Sequence, residues 1–97
     1  MPKLLSVTPS HLPEKKYDAH FKTDQGRDKT VPFGAKGMDD FTKTKDTEQR
    51  ERYRSRHSKD LNTHNPMSAG YLSWYLLWGA HPALRKNLEG FKRKFNL

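Results

Sequence analysis

Four arginines on alternate positions, Arg50, Arg52, Arg54 and Arg56, are the densest chemistry-bearing feature of the chain, and a second basic group follows at Arg85, Lys86, Lys92, Arg93 and Lys94. A guanidinium presents a planar fork of donors that pairs bidentately with phosphate or carboxylate, and lysine adds point charge. These nine residues are the predicted contact set for an anionic partner. The plainer reading is a solvated face, which the acidic residues interleaved in the first cluster support, since exposed ion pairs contribute little.

Other chemistries fail on spacing. Histidines 11, 20, 57, 64 and 81 form no recognised ligand pattern, and no carboxylates cluster around them. A nuclease using His57 or His64 is the enzyme reading weighed, and no acid, base and nucleophile assemble around either. Asp39 and Asp40 are adjacent, so they diverge in a regular element and suit a cap or turn. Gly34 and Gly37 lack the downstream Gly-Lys-Ser/Thr of a phosphate-cradling loop. Tyr71, Trp74, Tyr75 and Trp78 could stack bases, but at helical spacing, with Leu72 and Leu76 beside their stripe and Leu77 across from it, they read as core. The expectation is therefore a protein without catalytic residues, metal or cofactor.

These residues need elements to position them. Pro2, Pro9 and Pro13 each remove a backbone donor, so residues 1–15 read as an extended amino-terminal arm, held by a neighbouring subunit. From Lys16 the pattern turns to period two, with Tyr17, Ala19 and Phe21 on one face and Lys16, Asp18, His20 and Lys22 on the other. Asp24, Gln25 and Gly26 supply a turn, and Lys29 to Phe33 resumes the alternation with Val31 and Phe33 inward, so the two runs form one hairpin. Pro32 cannot donate to a ladder, so the second strand should lie at an edge or point that position outward.

Asp46, with Gln49 three residues on, resembles a capping box and predicts a helix from Thr47 to about Lys59. It is polar all round, with Tyr53 its only large apolar residue, so charge pairs or an outside acidic surface must hold it. Ser68 caps a second helix, Ala69 to Trp78. Pro82 suits the first turn of a third, whose Leu84, Leu88, Phe91 and Phe95 share one face with a basic back. A helix-turn-helix from residue 69 onward is weak as a DNA reader, because the basic back supplies phosphate contacts rather than base contacts.

Ninety-seven residues allow one domain, and a chain this short hides only about 60% of the surface it exposes unfolded. Leu, Val and Phe number seventeen and there is no isoleucine, which together with a net charge of +8 borders on a disordered composition. Eleven aromatics argue for a thin but real core. With no cysteine, disulfides and thiolate metal sites are excluded. The longest apolar run, Tyr71 to Trp78, is far short of the roughly 20 residues of a membrane span, and the amino terminus has no signal-like stretch, so a protein that is not secreted is expected.

Several strings carry a resemblance. Lys16-Tyr17-x-Ala19-x-Phe21, Phe33-Gly34-Ala35-x-Gly37-Met38-x-Asp40-Phe41-Thr42, Lys45-Asp46, Tyr53-x-x-Arg56-His57, Ser68-Ala69-Gly70-x-Leu72-Ser73-x-x-Leu76-Leu77-Trp78 and Phe91-Lys92-x-x-Phe95 span residues 16–95. This pattern resembles a family of short proteins of giant nucleocytoplasmic large DNA viruses. The resemblance implies an infected cell interior, cytoplasm or nucleus, or a virus particle. The predicted architecture is α+β: the 1–15 arm, then a small basic domain over 16–97 with one β-hairpin and three helices around Trp74, Trp78, Leu84, Leu88 and Phe91. The predicted function is that of a minor virion protein, capsid or internal. It would dock other virion proteins or acidic protein surfaces within a large assembly. The alternative is a binder of DNA or RNA phosphates.

Overall fold

The computed structural model describes residues 2–97. Three strands, β1 (Lys3–Pro9), β2 (Lys15–Lys22) and β3 (Asp28–Ala35), form an antiparallel sheet in the order β1-β2-β3. Four helices follow: α1 (Phe41–Thr44), α2 (Thr47–His57), α3 (Ala69–Leu72) and α4 (Leu84–Phe95), with a 3₁₀ turn at Ser58–Thr63. The fold is α+β, as the sequence predicts.

The extended arm is a correction. Residues 3–9 are extended, but they pair along β2, with Leu4 opposite Phe21 and Val7 opposite Ala19, so the sheet has three strands where one hairpin was expected and no break falls at residue 15. Their holder is this chain's own sheet, not a neighbouring subunit. The register slips between Leu4 and Ser6, which places a bulge at Leu5 and leaves that leucine exposed. The extra residue breaks period two, so Leu4 and Val7 both reach the core three positions apart.

The β2–β3 pairing follows the expected alternation: Tyr17 lies opposite Phe33 and Ala19 opposite Val31. Phe21 and Phe33 are fully buried, each contributing roughly 1.5–3 kcal/mol of transfer free energy. β3 is an edge strand, which is how it tolerates Pro32. Gly34, at φ +79°, lies where a Cβ would meet Leu77 Cδ1 at 2.8 Å, so its missing side chain lets the sheet seat directly on Leu77.

Asp46 caps α2 by accepting from the Glu48 and Gln49 amides. The box closes differently from expectation, because Gln49 Oε1 accepts from Thr44 Oγ1 instead of reaching back. α1, absent from the sequence reading, is a single turn capped by Asp40. Ser68 caps α3, which continues as a π-helical turn, Ser73–Leu77, closed by the Trp78 amide donating to the Ser73 carbonyl at 3.0 Å. The wider turn lets Trp74, Leu76, Leu77 and Trp78 all be buried, although 3.6 periodicity would put Leu77 on the far side.

α4 starts at Leu84 with Ala83 as its cap, so Pro82 precedes the helix rather than occupying its first turn. The core runs from Leu4, Phe21 and Phe33 through Leu72, Leu76 and Leu77 to Phe91. Leu84 and Leu88, expected at the centre, are only partly buried against it. A radius of gyration of 12.8 Å matches the ~13 Å of a folded chain of this length, so the sparse aliphatic content still closes one core.

Candidate functional site

At 100° per residue, residues four apart on a helix share a face and residues two apart oppose one another. The alternate arginines of α2 therefore split into two pairs. Arg50 and Arg54 turn inward: their guanidinium carbons lie 5.3 Å from the Phe41 ring centroid and 4.7 Å from that of Trp74. Arg54 Nη1 also donates to the Trp78 carbonyl at 2.9 Å, and Arg50 Nη2 pairs with Glu51 at 3.1 Å. Burial, then the neighbouring Arg50 charge, lower the Arg54 pKa from its ordinary value. Arg52 and Arg56 turn outward, are exposed, and make no ion pair among the described residues. α2 thus gains its attachment from two arginines and one tyrosine instead of an apolar stripe.

The second cluster sits on α4. Arg85 is engaged by Glu89 at 3.8 Å, whereas Lys86 and Arg93 are exposed and without an ion pair among the described residues. Lys94 lies 5.9 Å from the Phe95 ring centroid and Lys92 is half-buried. Arg54, Lys86, Arg93 and Lys94 line one cleft of about 550 Å³, floored by Tyr75 and Phe91 and bounded by the turn at residues 79–81.

Asn87, buried, fixes that turn. Its Nδ2 donates to the Leu76 and His81 carbonyls at 3.0 and 2.7 Å, and its Oδ1 accepts from the His81 amide at 3.0 Å. The structure therefore brings four of the nine predicted contact residues to one place. It leaves Arg52, Arg56 and Arg85 on other surfaces, keeps the half-buried Lys92 out of the cleft lining, and gives Arg50 a packing role.

A second cleft, of about 480 Å³, opens on the other flank of α2, between Tyr53, Arg56 and His57 and the loop that follows β3. Tyr53 is sandwiched, its ring 4.4 Å from Trp78 at 8° and 4.2 Å from His57 at 22°. Burial, then the Asp60 charge, push the Tyr53 hydroxyl up to about 12, so it is neutral at physiological pH. At the back of this cleft Lys16 pairs with Asp40, both side chains largely buried.

Ser10, His11 and Asp18 come together but not as a catalytic relay. Asp18 accepts from the Ser10 hydroxyl at 2.6 Å and the His11 amide at 3.0 Å, and its other partner is His11 Nδ1, so the carboxylate sits between serine and histidine where a nucleophile would need the histidine. The trio locks the β1–β2 connection. Burial raises the Asp18 pKa, but the hydrogen bonds from His11 and Ser10 outweigh it and bring the carboxyl down to about 2. Among the described residues no group of three or more His, Asp or Glu is placed to hold a metal ion, and no helix is long and apolar enough to cross a membrane.

Sequence reasoning missed the burial of Asp18, which sits on the polar face of β2, and the exposed Met38 on the rim of the second cleft. The signal for the first was local, a Ser-His pair at a strand end eight residues before an aspartate. The model of a family of unknown function, DUF5754, matches residues 5–57, more than half of the chain. No curated protein and no solved structure matches it.

Proposed function

The chain belongs to the DUF5754 family, and we propose that it is a non-enzymatic docking protein whose α2–α4 cleft receives an acidic protein surface within a large assembly. One observation carries this reading. Cations from two elements, Arg54 on α2 and Lys86, Arg93 and Lys94 on α4, line one concavity, against a single carboxylate, Glu89, among the described residues that line it. A surplus of like charges in one concavity raises the local anion concentration, which suits a docking surface.

The resemblance to short proteins of large DNA viruses supplies the setting proposed here, a minor component of a virus particle, capsid or internal. Nucleic acid is the competing partner. The faces that would stack bases are occupied within the fold: Arg54 covers Trp74 and Tyr53 covers Trp78. That favours a protein surface. The test is a titration of the chain with polyglutamate and with duplex DNA over a range of salt. Tighter binding to polyglutamate that is weakened by Lys86→Glu with Arg93→Glu supports the reading. Tighter binding to DNA, with a salt slope reduced by about 2 in the double variant, reassigns the cleft to phosphates.

A further inference from the structure

We infer that the second cleft, between α2 and the loop after β3, binds a short protein segment carrying one carboxylate beside one apolar side chain. This goes beyond the docking reading, which concerns the opposite flank of α2, and it stands or falls separately.

The size comes first. A cleft of about 480 Å³ falls within the ~300–1,000 Å³ of small-ligand sites. Its charges then nearly cancel. Lys16 is spent on Asp40 and Asp39 stands 3.8 Å from Lys43, while His57 Nδ1 shares a hydrogen bond with Asp60 at 3.2 Å. Of the lysines and arginines that line the cleft, Lys16 and Arg56, only Arg56 has no ion pair among the described residues, so the cleft asks for a single anion, and a guanidinium takes a carboxylate bidentately.

The apolar requirement comes from Met38, which is 63% exposed on the rim and, with Leu5, is one of two large hydrophobic side chains left in solvent among the described residues. Methionine is the adaptable side chain of surfaces that accept varied peptide residues. Arg56 and Met38 line the same cleft, so a charged and an apolar side chain carried next to each other on one segment of chain can meet both. Its wall is fixed: the His57, Tyr53 and Trp78 rings are stacked, and Leu77 is seated on Gly34. Little ordering is therefore left to binding.

The experiment is an array of acetylated, amidated tetrapeptides. It pairs Leu, Met, Phe or Val with Asp or Glu in either order, alongside the same peptides with Asn or Gln, and is probed with the full chain. The expected result is retention of acidic peptides at least tenfold above their amide counterparts. Arg56→Gln should abolish that difference and Met38→Ser should weaken every acidic peptide several-fold. Lys86→Glu with Arg93→Glu should leave the array unchanged, so failure of the α2–α4 docking site would not be mistaken for failure here. No retained peptide, equal retention of acids and amides, an unchanged preference in Arg56→Gln, or binding of free benzoate with no peptide retained would each overturn the assignment.

Discussion

Arg54 donates from Nη1 to the Trp78 carbonyl oxygen at 2.9 Å, tying the middle of α2 to the end of the π-helical turn. Because Trp78 caps that turn, its carbonyl is not used inside a helix, and the arginine satisfies it while lying over Trp74. A helix with no buried residue of its own is thereby held to the body.

The split of the α2 arginines predicts unequal costs. Arg54→Ala should destabilise the chain by about 1–3 kcal/mol, a fall in Tm of several degrees, and Arg54→Lys should recover only part, since an ammonium cannot bond the carbonyl and cover the ring together. Arg52→Glu and Arg56→Glu should stay within about 0.5 kcal/mol of the parent. Thermal unfolding followed by circular dichroism reads all four. Equal losses at positions 52 and 54 would remove the distinction between inward and outward pairs.

Two glycines should respond with opposite signs. A Cβ on Gly79 would fall 2.2 Å from the Tyr75 carbonyl oxygen and 2.9 Å from Asn87 Oδ1, so Gly79→Ala must displace backbone and disturb the amide that fixes residues 79–81. A loss of at least about 2 kcal/mol is expected. Gly90 lies inside α4 with nothing near its missing Cβ, so Gly90→Ala should stabilise by about 0.5–1 kcal/mol. Urea unfolding of the two variants checks both, and a stabilised Gly79→Ala would contradict the described turn.

Asp18 gives the pH dependence. Its folded pKa of about 2 lies below the ordinary 3.8, so the unfolded chain binds the extra proton between these values. The stability this carboxylate contributes is complete above about pH 4 and is lost as pH falls toward 2. Asp18→Asn, which cannot titrate, should flatten the fall in stability over that window, measured by urea midpoints at pH 4, 3 and 2. Parallel slopes for parent and variant would show that Asp18 is not held by Ser10 and His11 as described.

Much of this was legible in the residues. The alternation of Tyr17, Ala19, Phe21, Val31 and Phe33 gives two strands outright, and Asp46 and Ser68 mark two helix starts where their side chains do cap. β1 was not legible, because the Leu5 bulge puts Leu4 and Val7 out of phase and the flanking prolines resemble those of a loose arm. The π-helical turn leaves no trace in a 3.6 pattern. That Arg50 and Arg54 form one face follows from spacing alone. That this face is the inner one depends on Phe41, Trp74 and Trp78, which the fold brings in from other elements.

The charge clusters were likewise visible, but their convergence was not. Arg54 and Arg93 are thirty-nine positions apart and meet at one cleft only because the 79–81 turn folds α4 back along the preceding helix.

The central claim, that an acidic partner seats in the α2–α4 cleft, is tested most directly by amide chemical shifts of the full chain during a titration with polyglutamate. Saturable shifts at Arg54, at residues 79–81 and along 86–94 are expected, with the outer sheet face at Thr8, His20 and Thr30 unmoved. Shifts scattered over every lysine and arginine, or concentrated on the sheet, would contradict it.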